Sequence, residues 1–110
     1  MYTQTKNNCM IKATVLYGHP TDAEAFEKYY SETHLPLAAK TQGVEKSEFT
    51  KFLSNPDETA AAYYRMAELY FSGPAEMQQA MGSPEGQAMA ADLSNFATGG
   101  VTIIMGVVEN

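Results

Sequence analysis

The chain has 110 residues, of which 45% are hydrophobic, and its formal net charge at pH 7 is -6. This length and composition suit one domain with one packed core, whereas nucleic acid and anionic membrane surfaces attract clustered Lys and Arg that this acidic chain lacks. Cys9 is the single cysteine, so no intramolecular disulfide can form. No apolar run has the length of a membrane span or the form of a signal peptide, and we expect a cytoplasmic protein.

The N-terminal residues differ in character from the rest of the chain. Residues 1–9 are polar and have no periodicity, which predicts a flexible extension ahead of a single domain over 10–110. The stretch "MIKATVLYG" opens that domain and predicts a first strand at about 10–17.

A helix is predicted next. Thr21 and Glu24 have the spacing of a capping box, so the helix should start near Asp22. The residue before a proline is biased away from helical geometry, so Pro36 predicts that the helix stops close to His34. That would place an ionisable ring at a helix end.

Three further strands and a second helix complete the pattern. Alternating and β-branched sequence predicts strands at 44–53, 63–71 and 99–108. Helix starts at Pro74 and Ser83 predict a second helix that is broken or bent near Gly82.

The resulting order, βαββαβ, predicts an α+β fold of the ferredoxin-like type, with a four-stranded antiparallel sheet and both helices on one face. Strand four has apolar residues on both faces: Val101, Ile103, Met105 and Val107 on one, and Ile104 and Val108 on the other. Helices can bury only one face, and exposing the other would forgo roughly 1.5 to 3 kcal/mol for each large apolar side chain. We therefore expect a homodimer that pairs through the sheet face.

His34 is the first candidate site residue. An imidazole titrates near neutrality and a helix C-terminus favours its protonated form, so His34 can serve as an acid, a base or a hydrogen-bond donor to a substrate carbonyl. The alternative is a structural histidine that caps the last helical carbonyls. Tyr30, one turn earlier, and Tyr17, at the end of strand one, are candidate ligand-binding residues whose alternative is an ordinary place in the aromatic core.

Glu68 and Met66 are further candidates on strand three. Glu68 is a carboxylate among residues that otherwise look buried, which suits a proton-transfer partner of His34. The alternative is an ion pair with Arg65 or Lys51. Met66 suits an adaptable pocket, and its alternative is core filling.

Several chemistries have no support in the sequence. Two histidines and one cysteine without metal-ligand spacing predict no zinc site, and there is no phosphate-binding glycine loop and no nucleophile elbow.

Five stretches in this order resemble the EthD family of dimeric α/β-barrel proteins: "MIKATVLYGHPTD", "AFEKYYSETHLPLA", "QGVEKSEF", "YRMAELYF" and "MGSPEGQAMAADLSNFATGG". The resemblance covers about residues 10–110. It implies a ferredoxin-like protomer that forms a closed barrel with a second copy, with a small-molecule pocket between sheet and helices. His34 matches the family's histidine in its "H-x-P" pattern. The family is associated with the degradation of small organic compounds. Related barrels include haem-dependent enzymes, so haem ligation by His34 is an option, but nothing in this sequence requires a cofactor.

Three functions follow as hypotheses. The preferred one is an enzyme that acts on a small apolar or aromatic compound in a degradation pathway, by His-assisted proton transfer or cofactor-independent oxygenation. The second is a non-catalytic ligand-binding or carrier protein of such a pathway. The third is a structural dimer whose pocket is filled by its own side chains.

Overall fold

The computed structural model describes residues 10–109; the extension predicted at 1–9 lies outside them, as does Cys9. The strands are β1 (Ile11–Tyr17), β2 (Lys46–Lys51), β3 (Arg65–Phe71) and β4 (Val101–Val107). The helices are α1 (Ala23–Tyr29), a π-helical segment (Tyr30–His34), α2 (Leu35–Ala38), α3 (Pro74–Gly82) and α4 (Pro84–Phe96).

The four strands form one antiparallel sheet in the order β2-β3-β1-β4. With helices after the first and third strands, this is the predicted ferredoxin-like arrangement, which is thereby confirmed. Ala13 of β1 lies opposite Leu69 of β3 and Met105 of β4. Because strand side chains alternate between faces, these three residues point to the same side of the sheet, toward the helices.

The core fills the space between this face of the sheet and the helices. One cluster is centred on Phe71 of β3, which is fully buried, and includes Met89 of α4. The other is aromatic and joins Tyr17 of β1 to Tyr30 and Phe96 from the helices. The aromatic cluster fixes the surroundings of the candidate site.

The start of α1 differs from the predicted capping box. Asp22 is the N-cap, and its Oδ1 accepts a hydrogen bond of 3.1 Å from the backbone N–H of Ala25. The hydroxyl of Thr21 instead faces Thr98, whose Oγ1 accepts from the Thr21 backbone N–H at 3.0 Å. The prediction placed the helix start correctly but named the wrong capping residue, because Thr21 is held by the loop before β4.

The prediction that the first helix stops at His34 is wrong. Leu35 keeps helical angles (φ -63°, ψ -42°), and its N–H bonds to the carbonyl of Tyr30, five residues earlier. The wider π turn admits Pro36 at the start of α2, although proline lacks an N–H and crowds the preceding turn of a regular helix. His34 therefore lies within a continuous helical run. Leu35 shows that the residue before a proline can adopt helical geometry, although that geometry is sterically disfavoured there.

The predicted break in the second helix is confirmed. Ser83 separates α3 from α4, and its Oγ accepts a hydrogen bond from the Gly86 N–H at 3.1 Å. The two shorter helices can then follow the curvature of the sheet. None of the helices within 10–109 is long and apolar enough to cross a membrane.

Candidate functional site

A small apolar cavity of ≈ 80 Å³ lies between the sheet and the helices. It has contributions from β1, β3, β4, the π-helical segment and α4, so residues far apart in sequence meet there. Its lining consists of Ala13, Val15, Tyr17, Tyr30, His34, Leu35, Ala38, Phe49, Ala67, Leu69, Met81, Met89, Ala90, Leu93, Ile103 and Met105. Apart from the two tyrosine hydroxyls and the imidazole, the wall is hydrocarbon and thioether.

His34 is 4% exposed, and its Nδ1 lies 2.9 Å from Oδ2 of Asp92 on α4. A carboxylate can only accept, so the hydrogen of this contact is carried by Nδ1. Nε2 makes no hydrogen bond to any other group within residues 10–109. A neutral His34 consequently holds a free lone pair on Nε2, in a ring that forms part of the cavity wall.

Asp92 is itself held by two further donors. Its Oδ1 accepts from the Tyr29 hydroxyl at 2.6 Å and from the Asn95 amide at 2.9 Å. Burial alone would raise the pKa of Asp92, but the hydrogen bonds from Tyr29, Asn95 and His34 outweigh it and hold that pKa below its ordinary value. Asp92 is therefore ionised at neutral pH and stabilises a positive charge on His34.

Asp92 was not among the site residues predicted from the sequence. It lies 58 positions from His34, and only the packing of α4 against the π-helical segment brings the two together. A local signal exists: Asp92 falls three residues after Met89 and four before Phe96, so an acidic residue interrupts the apolar face of α4.

Tyr17 and Tyr30 lie beside His34, as their candidate role requires. The rings of Tyr30 and His34 are stacked, with centroids 5.9 Å apart and planes 17° apart, and Tyr17 meets Tyr30 edge-on at 5.7 Å. Burial raises the pKa of Tyr30 to about 12 and also raises that of Tyr17. Both phenols therefore keep their protons at any ordinary pH.

A charged pair fixes the far side of Tyr30. The guanidinium of Arg65 lies 4.9 Å from the centre of the Tyr30 ring, and it donates to both carboxylate oxygens of Glu27, at 2.9 and 2.7 Å. The Tyr64 hydroxyl also donates to Glu27, at 2.6 Å. The Arg65 hydrogen bonds lower the pKa of Glu27 to about 2, so the pair is fully charged at neutral pH.

Glu68 and Met66 lie on the other face of the sheet. Their neighbours Ala67 and Leu69 point toward the helices, so Glu68 and Met66 point away from His34. Glu68 is paired, as the alternative interpretation held, but its partner is Lys12, at 2.9 Å.

The predicted partners Arg65 and Lys51 were wrong because both occupy the helix-facing register. The two residues are directly opposite each other in the β2–β3 pair. The structure thus brings together Tyr17, Tyr30 and His34, and it separates Glu68 and Met66 from them by the thickness of the sheet.

An outer cleft of ≈ 290 Å³ adjoins the cavity. The two share five lining residues, Leu35, Ala38, Phe49, Leu69 and Met89. Phe49 of β2 is 43% exposed and lies 6.5 Å from the Tyr30 ring centre, so it stands between cavity and cleft. A larger surface cleft of ≈ 460 Å³ near Gly43 and Ser83 contains none of the predicted site residues.

No group of three or more His, Cys, Asp or Glu side chains suited to a metal ion occurs in the part of the chain that the structure describes. The polar groups of the cavity are one imidazole and two phenols. This set suits proton transfer and hydrogen bonding to a small organic molecule.

Comparison with known proteins decides the family. The model of the EthD domain matches residues 18–100. The chain belongs to the EthD family. An uncharacterised 11.0 kDa protein from the thcB-thcC intergenic region of Rhodococcus erythropolis is 42% identical over 95 residues, which cover 86% of this chain and 91% of that protein.

Solved structures agree with this EthD assignment. An EthD family protein from Bacillus halodurans superposes with a TM-score of 0.84 at 33% identity, covering 90% of this chain and 98% of that one. A hydroxynitrile lyase from Passiflora edulis has a TM-score of 0.75 at 11% identity, covering 94% of this chain and 96% of that one. The second likeness shows a shared fold and no more.

Proposed function

We propose that this EthD protein is a small cytoplasmic enzyme that binds an apolar or aromatic compound in the inner cavity and moves a proton with His34. The observation that carries the proposal is the Asp92–His34 hydrogen bond at the wall of an apolar cavity. A free Nε2 lone pair beside a bound molecule is the arrangement that a general base needs.

Asp92 supports this role through its charge and its geometry. As Nε2 takes a proton, the imidazole becomes cationic, and the adjacent carboxylate offsets the cost of a buried charge. The hydrogen bond to Nδ1 also keeps the ring in the tautomer whose Nε2 is unprotonated. Asp92 is thus a positioning residue, and His34 is the group that meets the substrate.

The class of reaction is an isomerisation, an elimination or a cofactor-independent oxygenation that begins with loss of a proton. We infer that this reaction belongs to the degradation of a small organic compound, an inference that membership of the EthD family supports. The lyase that shares the fold indicates that such a scaffold accommodates chemistry on small molecules, but the reaction proposed for this chain depends on its own residues.

The test uses pools of small apolar and aromatic compounds in D₂O, with binding read by ligand-detected NMR and chemistry read as loss of carbon-bound protons or appearance of products. The wild-type chain should bind a subset of these compounds and exchange or convert at least one of them. His34→Asn should still bind but lose the reaction by about 10²- to 10⁴-fold. Tyr63→Phe, outside the cavity, is the matched control and should react like the wild type. Undiminished reaction in His34→Asn would remove His34 from the mechanism.

A carrier function is the second candidate, and the position of Glu68 favours it. The acid that the sequence suggested as a second catalytic group lies across the sheet. This leaves His34 as the one imidazole that residues 10–109 contribute to the cavity wall, with no carboxylate in that wall to act as a second catalytic group. A carrier would bind compounds in the same experiment without exchange or conversion, and affinity alone would depend on pH.

The proposal also includes a homodimer through the open face of the sheet. That face carries apolar residues, among them Leu16, Met66 and Ile104, the last of which is 54% exposed. Covering them with a second copy would recover roughly 1.5 to 3 kcal/mol for each large side chain that becomes buried. The ion pair between Lys12 and Glu68 on the same face provides both signs of charge for a symmetric contact.

A further inference from the structure

Among residues 10–109 the hydroxyl of Tyr30 has no partner within hydrogen-bond geometry, although the phenol of Tyr17 lies close enough to act on its pKa. Of the buried side-chain nitrogen and oxygen atoms in residues 10–109, Tyr30 Oη is the one that makes no hydrogen bond. The side chain is 1% exposed and belongs to the wall of the cavity. Because native proteins leave few buried polar groups unpaired, such a group points to a partner supplied from outside the chain.

The phenol is held in place before any ligand arrives. The Arg65 guanidinium lies on one side of its ring, His34 stacks beside it, and Tyr17 and Phe26 pack against it, with ring centroids 5.7 and 5.4 Å away. A hydroxyl on so restrained a ring loses little entropy when it forms a hydrogen bond. Tyr30 is therefore suited to orient a ligand as well as to hold it.

We propose that the ligand of this cavity is a small aldehyde or ketone whose carbonyl oxygen accepts a hydrogen bond from Tyr30 Oη, with its hydrocarbon part directed past Phe49 into the outer cleft. This inference rests on the proposed function, because it names the substrate class of the same cavity.

The chemistry of the cavity favours a neutral carbonyl over other oxygen compounds. The phenol keeps its proton, so it acts as a donor and calls for an acceptor. A carboxylate would bring an uncompensated charge into an apolar cavity, and the nearest cation, Arg65, is already paired with Glu27. A carbonyl oxygen accepts a hydrogen bond without bringing a charge or a second unpaired donor.

The two volumes set the size of the ligand. An engineered cavity of about 150 Å³ holds benzene, so ≈ 80 Å³ holds a carbonyl group and a few attached carbon atoms. The outer cleft of ≈ 290 Å³ accommodates a longer hydrocarbon part once Phe49 turns aside. Together they fall just above the lower end of the volumes usual for small-molecule sites.

Tyr30 and His34 would act on the same molecule in a balanced step. His34 Nε2 takes a proton from the carbon next to the carbonyl, and the C–H electron pair forms a C=C bond while the C=O π pair moves to the oxygen. The Tyr30 hydroxyl stabilises the negative charge on that oxygen, and return of the proton to carbon or oxygen restores His34.

The test compares 2-pentanone with 2-methyl-1-pentene, in which a C=CH₂ group replaces C=O in nearly the same shape. Both are titrated into the full chain, and the carbonyl stretching frequency of bound 2-pentanone is recorded by infrared spectroscopy. Tyr30→Phe should lower the affinity for the ketone by about two- to tenfold and leave the affinity for the alkene unchanged. Tyr63→Phe, the matched control, should bind both as the wild type does.

The infrared spectrum of the wild-type complex tests for a hydrogen bond to the carbonyl even if Tyr30→Phe does not fold. In the wild-type complex the carbonyl stretch should lie below its frequency in an alkane solvent, and the shift should be lost in Tyr30→Phe. Two results would overturn the inference and point to a water as the partner of Tyr30: an unshifted carbonyl stretch, or equal effects of the substitution on the binding of ketone and alkene. If the alkene still binds, the proposed cavity function remains intact. Failure of both compounds to bind the wild-type chain would overturn the inference and the proposed binding function together.

Discussion

The hydrogen bond between Asp92 and His34 decides which imidazole nitrogen is available for chemistry. In Asp92→Asn the new amide can donate to Nδ1 while its oxygen still accepts from Tyr29 and Asn95. The His34 proton then moves to Nε2, which removes the lone pair that faces the ligand. We expect turnover of any identified substrate to fall by about 10²- to 10⁴-fold, with ligand affinity changed much less.

This prediction has a readout other than activity. The ¹⁵N chemical shifts of His34 should report a proton on Nδ1 in the wild type and on Nε2 in Asp92→Asn. Asp57→Asn makes the same chemical change in an exposed loop and should alter neither the shifts nor turnover. Unchanged turnover in a variant with the switched tautomer would show that Nε2 is not the base.

Glu27 gives the fold a dependence on acid. Its pKa is lowered to about 2 in the folded protein, chiefly by the hydrogen bonds from Arg65, whereas an unfolded glutamate titrates near 4.3. A lowered pKa contributes stability that is present above the unfolded value and is lost as the pH falls from about 4.3 toward 2. Since the carboxylate is partly exposed, we expect that contribution to be about 1 kcal/mol.

Urea unfolding at pH 7 and at pH 3 measures this effect. Glu27→Gln should lose less stability between the two pH values than the wild type does. Glu32→Gln, on an exposed position of the same helical run, should keep the wild-type pH dependence. An equal loss of unfolding free energy between pH 7 and pH 3 in the wild type and in Glu27→Gln would show that the ion pair does not contribute to the acid dependence of stability.

At the scale of helices, the joint between α3 and α4 depends on close contact at Gly86. A Cβ built at Gly86 would lie 2.1 Å from the carbonyl oxygen of Ala80, whereas a Cβ at Gly82 meets nothing within 4 Å. Gly86→Ala should therefore destabilise the fold by about 1–3 kcal/mol, because backbone atoms must shift. Gly82→Ala should be neutral or stabilising by up to about 1 kcal/mol, since alanine favours helix.

Thermal and urea unfolding of the two variants compares the same substitution at two ends of one joint. Because α4 carries Asp92, Gly86→Ala should also disturb the His34 ¹⁵N shifts, and Gly82→Ala should not. Equal stability of the two variants would show that α4 can move away from Ala80 at no cost.

The elements differ in how well their sequence specifies them. The strands and the break at Ser83 follow from alternation and from helix-start residues, which are local signals. The ends of each predicted strand lie within two residues of the observed ends. The π-helical segment does not follow from local signals, because Pro36 alone favours a helix end, and packing of Tyr30 and His34 against the core reverses that preference. The candidate site likewise combines residues that local sequence predicts with contacts that depend on tertiary packing.

Tyr30 and His34 were predictable from their helical spacing, and Tyr17 was predictable from its place at the end of the first strand. The Asp92–His34 contact and the separation of Glu68 from the cavity depend on which sheet face and which helix face meet, and these are tertiary facts that a single sequence leaves open.

For the molecule as a whole, the cavity and the expected dimer are connected through β4. Ile103 and Met105 line the cavity, yet they are 48% and 49% exposed, because β4 is an edge strand and the helices do not cover it. On the other face of the same strand, Ile104 is 54% exposed. A second copy that packs against the open face and covers β4 would bury residues on both sides of this strand and close the wall of the cavity.

A lysine at Ile104 tests this connection. In a two-fold symmetric dimer the substitution occurs twice, and each copy would place a charge where an apolar side chain is buried, so Ile104→Lys should yield a monomer by sedimentation velocity. Leu53→Lys makes the same change at a loop residue that is 85% exposed, and it should leave the dimer intact. If β4 is covered by the partner, the monomeric variant should also bind cavity ligands more weakly than the Leu53 variant. A wild-type monomer, or an Ile104→Lys dimer with unchanged affinity, would show that this face of the sheet is not the interface.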